Sequence, residues 1–304
     1  MGASTDMRRF SATDAAFTGF RIARERWRAL PFWFAASLLY SLILLALLSQ
    51  VPGSAPDPAA IQADPQIAIA FLAQIAPSLF GAVAIAIVGH AIISAAMFRA
   101  VLKPNQSAFG YLRLGSDELR LLAVTLLYLA VLIGLDLFGG IAAGLISGAV
   151  AAVLKTDTEV VAYAIIVLTL CAAVAVGVRL SLAAPLTFAA GHIQIRRSWE
   201  MTRGRFWPIL GAFLLALALA MVVAVLGLIV QGGVAAALGG NGVAMTSAEA
   251  STPFLSQLLS PAGIANVLIS SLINALIWPV LIAPAASIYQ DLTRGEPDDG
   301  VAAA

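Results

Sequence analysis

The chain reads as an all-α integral membrane protein with six transmembrane helices, both termini cytoplasmic, and amphipathic interfacial helices on the cytoplasmic side. Three observations predict this. First, 61% of residues are hydrophobic and only 11% charged, with a mean hydropathy of +0.96. Soluble domains sit near ~45–50% and ~25%. Second, apolar runs long enough to cross a hydrocarbon core of about 30 Å recur six times, separated by polar islands. Third, the cations are asymmetric. The segments before span 1, between spans 2 and 3, between spans 4 and 5, and after span 6 hold fifteen Lys or Arg, whereas the other three loops hold one, Lys155. The remaining cation, Arg179, lies inside a span. Basic loops stay on the cytoplasmic side, so this split places both termini there.

Residues 1–30 form a cytoplasmic amphipathic segment. Ser11 to Asp14 has the S-x-x-D form of a helix start. Phe17, Phe20, Ala23, Trp27 and Leu30 then recur at spacings of three and four, with Arg21, Arg24, Glu25 and Arg28 on the other face. This pattern predicts a helix lying in the membrane interface. The length of polar chain before the first apolar run argues for an uncleaved anchor rather than a signal peptide. Pro31 suits the first turn of a new helix.

The membrane domain covers residues 31–290, with spans at about 31–51, 67–98, 121–138, 160–190, 208–230 and 264–289. The loop from Pro52 to Gln66 carries Asp57, Asp64 and several prolines. In span 2, Pro77 is expected to divide a lead-in from the true span. Ser116 can cap a helix beginning Asp117-Glu118. After Phe138, Gly139, Gly140, Gly144 and Gly148 predict that span 3 gives way to a shorter glycine-rich segment. Span 4 reads as one run containing Arg179. The loop from Gly239 to Pro261 is polar and lacks Lys and Arg. Pro279 and Pro284 interrupt span 6, and residues 291–304 form a short cytoplasmic tail.

The three basic islands resemble one another. Each opens on a glycine and an aromatic or His: Gly19-Phe20, Gly110-Tyr111, Gly191-His192. Each has an acid followed three residues later by arginine: Glu25/Arg28, Asp117/Arg120, Glu200/Arg203. That spacing permits ion pairs worth about 0.2–0.5 kcal/mol on a helix. One reading is three helical-hairpin repeats with a period of roughly 80–90 residues. The other is that any alternating topology looks repetitive.

Ionisable groups inside a span are costly and need a reason. His90, Asp136 and Arg179 are such groups, and Asn274 is a polar neighbour in depth. They form a candidate intramembrane cluster, against which stands the reading of individually satisfied residues. A direct Arg179–Asp136 pair asks the side chains to cover roughly 8–10 Å of depth at 1.5 Å per residue. Cys171, the single cysteine, reads as a small packing residue. No H-E-x-x-H, C-x-x-C, P-loop, dinucleotide or G-x-S-x-G pattern is present. The sequence thus names no catalytic, metal or cofactor-binding residue, and a nucleic-acid partner is not expected.

The third island, Gly191 to Trp207, is the longest polar run of the second half. Ile195, Trp199, Thr202 and Phe206 are expected to share one face, with Arg196, Glu200 and Arg203 flanking it and Arg197 pointing away. Its run RRSWEMTRGRFWPILG follows a helix ending APLTF. Together they resemble the six-span membrane domain that precedes the catalytic domain of some bacterial glycerophosphodiester phosphodiesterases, and related stand-alone proteins. Ser198, Trp199, Thr202, Arg203, Gly204 and Trp207 carry the resemblance. LIAPAASIYQDLTRG resembles that group's last span. AFTGFRIARERWRALPFW and FGYLRLGSDELRLL are similar to alphaproteobacterial stand-alone members. The resemblance implies a six-span protein of a bacterial plasma (inner) membrane. It does not imply hydrolase activity, because only a short tail follows span 6 in this sequence.

The expected function is non-enzymatic interaction with membrane lipids or with envelope proteins, including a second copy of the chain. Arg196, Arg197, Trp199, Arg203 and Arg205 are the expected contacts. The alternative is a small-molecule or lipid transporter or channel with a site near His90, Arg179 and Asn274.

Overall fold

The computed structural model describes residues 11–51, 56–154, 159–239 and 258–294. The loop around Lys155, most of the loop from Gly239 to Pro261 and the tail beyond Arg294 lie outside them. Among the described residues every regular element is helical. The elements are α1 (Ala12–Glu25), α2 (Leu30–Leu48), α3 (Pro58–Ala63), α4 (Pro65–Leu102), α5 (Ser116–Leu154), α6 (Glu159–Leu180), α7 (Ala183–Ala190), α8 (Ile195–Met201), α9 (Phe206–Ala237) and α10 (Pro261–Arg294). Six stretches are long and apolar enough to cross a membrane: Trp27–Leu48, Gln66–Leu102, Ala108–Val153, Glu159–Ala190, Phe206–Ala237 and Pro261–Thr293. The chain therefore has the make-up of a multi-pass membrane protein.

The helix starts follow local chemistry. Ser11 Oγ accepts from the Asp14 N–H at 3.3 Å, as the S-x-x-D pattern predicts. Pro31 sits in the first turn of α2. In the loop expected from Pro52 to Gln66 the chain instead folds α3. Asp57 caps α3 by accepting from Ala59 N–H, and Asp64 caps α4 by accepting from Gln66 N–H, both at 2.9 Å. Each Asp is followed by a proline, whose missing N–H costs nothing at the first helical position.

Three expected interruptions are absent, and an unexpected one is present. The helix α4 runs through Pro77, α10 runs from Pro261 to Arg294 through both Pro279 and Pro284, and α5 runs unbroken from Ser116 to Leu154 through all four glycines. A glycine costs only about 1 kcal/mol relative to alanine inside a helix. Unpaired peptide groups in an apolar surrounding cost several kcal/mol each, so the helix persists. Gly139 is buried because its missing side chain leaves room for Thr169 of α6. Span 4, by contrast, breaks at Ser181-Leu182 into α6 and α7. Pro185 explains the position: it offers no N–H to the carbonyl of Ser181 and its ring crowds that oxygen.

The helices group into two compact units. One comprises Leu114–Leu214 with the described parts of Met1–Ala15 and Pro284–Ala304. Its core gathers Ala15, Val178, Leu182, Leu186, Met201, Ile209, Ala212 and Ile288. Within it α5 packs along α6 and α7, and α8 packs on both α6 and α7. The other unit comprises Ala16–Arg113 and Leu215–Ala283. Its core is built on Ile22, Trp33, Ile93, Met97, Tyr111, Ala275 and Ala283. Gly19 lies so close to the backbone of Pro279 and Val280 that no side chain would fit.

The amphipathic segment differs from its expected form. Its packed face is Ala15, Ala16, Thr18, Gly19 and Ile22, whereas Phe17, Phe20 and Trp27 are exposed. Small residues allow close helix approach, which leaves the aromatics to the surface.

Candidate functional site

The break in span 4 creates the most chemically distinctive place in the first unit. When α6 stops at Leu180, its last carbonyls lose their intrahelical donors. Ser181 Oγ donates to Val178 O at 2.8 Å. The carbonyl of Arg179 accepts from Ser198 Oγ at 2.8 Å and lies 3.5 Å from Thr202 Oγ1. Ser198 and Thr202 are four residues apart at the end of α8 and both are fully buried. Thr202 Oγ1 also donates to Ser198 O at 2.9 Å. The hydroxyls of the third island thus cap the broken span.

The chain reaches this position through a compact turn. Gly191 adopts φ 73° as the C-terminal cap of α7, a region open to glycine at little cost. Buried Thr187 then accepts the Gln194 N–H on its Oγ1 at 3.1 Å, which fixes the start of α8.

The side chain of Arg179 turns to the same helix. Its guanidinium carbon lies 5.6 Å from the centre of the Trp199 ring, within the range of a cation–π contact. Nη1 is buried and has no hydrogen-bond partner among the described residues. Asp136, in the same unit, is exposed on α5, and no ion pair joins it to Arg179 among the described residues. The depth expected from the sequence assumes one continuous span 4. The break and the packing of α8 instead bring the basic island to Arg179.

The face of the island also differs from expectation. Ser198, Met201 and Thr202 point inward, whereas Trp199 is exposed and Ile195 only partly covered. The helix ends at Met201, so Phe206 belongs to α9 and shares no face with Ile195. Arg196, Arg197, Arg203 and Arg205 are all exposed. Arg196 pairs with Glu200 at 3.1 Å in open surroundings. The expected Glu200–Arg203 and Glu25–Arg28 pairs do not form among the described residues. In each case the helix ends first, at Met201 and at Glu25, so the arginine no longer lies one turn on. Arg28 instead stands 5.6 Å over the Trp27 ring. Asp117 and Arg120, both inside α5, do pair at 3.1 Å.

His90 and Asn274 belong to the second unit. His90 Nε2 lies 3.4 Å from Ser94 Oγ on its own helix, α4. Asn274 is partly buried on α10 beside fully buried Ala275. The second unit also holds a polar constellation that sequence reasoning missed. Phe109, Gly110 and Tyr111 all take positive φ, at 52°, 64° and 69°. For two aromatic residues this is a strained backbone. It is held by Trp33 Nε1 donating to Gly110 O at 2.8 Å and by buried Arg99 Nη1 donating to Tyr111 O at 3.0 Å. The turn presents Phe109 to the surface at 71% exposure, edge-on to Phe32. A Cβ at Gly110 would stand 2.7 Å from Phe32 Cβ. An arginine at the end of a span with a Gly-aromatic pair shortly after it was the available signal.

Among the described residues no group of three His, Cys, Asp or Glu could hold a metal ion. Comparison with family models, with curated proteins and with solved structures finds no match to this chain.

Proposed function

We propose that the chain is a non-enzymatic, six-span protein of a bacterial plasma membrane, with both termini cytoplasmic, that binds anionic lipids through its third basic island. The observation that carries this reading is the outward display of Arg196, Arg197, Arg203 and Arg205 beside exposed Trp199 and Trp207. Trp199 stands over Arg179, and Ser198 of the same helix donates to the Arg179 carbonyl, beside the break in span 4. A basic residue near an anionic surface contributes about 1 kcal/mol, and tryptophan prefers the headgroup level. Phe17, Phe20, Trp27 and Phe109, exposed in the other two islands, suit the same interface. The basic-residue asymmetry supports the orientation, and the recurrence of the islands supports three related hairpins. The SWEMTRG run keeps the resemblance to the phosphodiesterase membrane domain as part of this reading. Envelope-protein partners and self-association would use the same exposed surface.

The test is lipid retention by the purified chain. With Arg196, Arg197, Arg203 and Arg205 replaced by Gln, copurified anionic lipid should fall several-fold. Raising the salt should reduce retention by the wild type as well, because exposed charges are screened. Equal anionic lipid on both proteins at low salt would reject the proposal.

A further inference from the structure

The guanidinium of Arg179 is the group whose environment is least accounted for. It carries five N–H donors, yet buried Nη1 has no acceptor among the described residues. An unpaired buried donor on a cation is expensive. Trp199 covers one face of the cation at 5.6 Å. A ring-face contact uses no N–H, so the in-plane fork is left for an acceptor. The carboxylates at hand do not serve: Asp136 makes no ion pair with Arg179 among the described residues, and Glu200 of α8 is paired with Arg196. The exposed cations Arg196, Arg203 and Arg205 make the surroundings attractive to an anion.

We propose that Arg179 and Trp199 form a seat for one phosphate oxyanion. The planar fork donates to two phosphate oxygens, a match that arginine makes better than lysine. The indole holds the cation in plane and offers its exposed edge to the apolar part of the bound molecule. The Ser198 and Thr202 hydroxyls position the seat by fixing the Arg179 backbone. In a membrane the phosphate belongs to the phosphodiester of an anionic lipid; a soluble phosphate would use the same donors. The inference rests on the lipid-binding reading above and adds to it a single stoichiometric site.

The test is native mass spectrometry of the full chain in detergent, titrated in separate arms with phosphatidylglycerol, phosphatidylcholine and sodium phosphate. The variants are Arg179→Gln, Arg179→Lys, Trp199→Leu and the four-arginine Gln variant. One phosphatidylglycerol should bind wild type about tenfold more tightly than Arg179→Gln. Arg179→Lys should recover part of the difference, and Trp199→Leu should bind a few-fold more weakly than wild type. Phosphatidylcholine should bind more weakly, because its ammonium meets the flanking arginines. Displacement of lipid by millimolar sodium phosphate would support the seat and assign it to a free phosphate.

Equal phosphatidylglycerol affinity in wild type and folded Arg179→Gln overturns the seat. If Arg179→Gln does not fold, equal affinity in Arg179→Lys, Trp199→Leu and wild type does so. Loss of general lipid retention in the four-arginine variant with no effect at Arg179 removes the seat and leaves the surface reading. The reverse pattern removes the surface reading and keeps the seat.

Discussion

Ser198 and Thr202 show how two hydroxyls support a break in a membrane span. Either can approach the freed carbonyl of Arg179, at 2.8 and 3.5 Å. Ser198→Ala with Thr202→Val should therefore lose more stability than the sum of the single changes, because each hydroxyl partly covers for the other. The double variant should lose about 1–3 kcal/mol, the cost of stranding a buried acceptor. Thermal unfolding in detergent measures it, and an unchanged midpoint in the double variant would contradict the capping role. Two glycines give a second contrast at this scale. Gly19 faces the backbone of Pro279 and Val280, which cannot move aside cheaply, whereas a Cβ added at Gly140 would meet nothing within 4 Å. Gly19→Ala should cost about 1–3 kcal/mol by overpacking. Gly140→Ala should be neutral or stabilise by up to about 1 kcal/mol. Similar unfolding midpoints for the two variants would refute the close approach at Gly19.

At the scale of elements, hydropathy is a good guide to which runs are helical and a poor guide to where they stop. Composition and run length lead to six apolar helices because every peptide group in such a run must be paired internally. The same constraint keeps α5 helical through Gly139, Gly140, Gly144 and Gly148, where propensity alone suggests a break. Span 4 breaks where Pro185 removes the donor to the Ser181 carbonyl, and α8 supplies a hydroxyl to the Arg179 carbonyl that the break frees. The proline is visible in the sequence, but the hydroxyl contacts are between Arg179 and residues nineteen and twenty-three positions later. No local pattern reports such a pairing. The same limit applies to Trp33 and Gly110, which are 77 residues apart. By contrast, the Asp57-Pro58 and Asp64-Pro65 pairs are local signals for α3 and α4, hidden only by a proline content that suggests loop. Arg196, Arg197, Trp199, Arg203 and Arg205 are identifiable from type and spacing. Their display follows from Ser198, Met201 and Thr202 facing inward.

For the whole molecule, the lipid reading depends on all three basic islands meeting the same face of the membrane. Six helices long and apolar enough to cross a membrane separate the islands from the loops that hold only Lys155 among the cations. The long helices fit this arrangement with length to spare: α5, at 39 residues, extends about 58 Å at 1.5 Å per residue. Its ends therefore project beyond a hydrocarbon core of about 30 Å, or the helix tilts. Reporter fusions at residues 60, 157, 245 and 304 test the arrangement most directly. The account predicts a non-cytoplasmic signal at the first three and a cytoplasmic signal at 304. A cytoplasmic signal at any of the first three, or a non-cytoplasmic signal at 304, would contradict the six-span arrangement and the common face on which lipid binding depends.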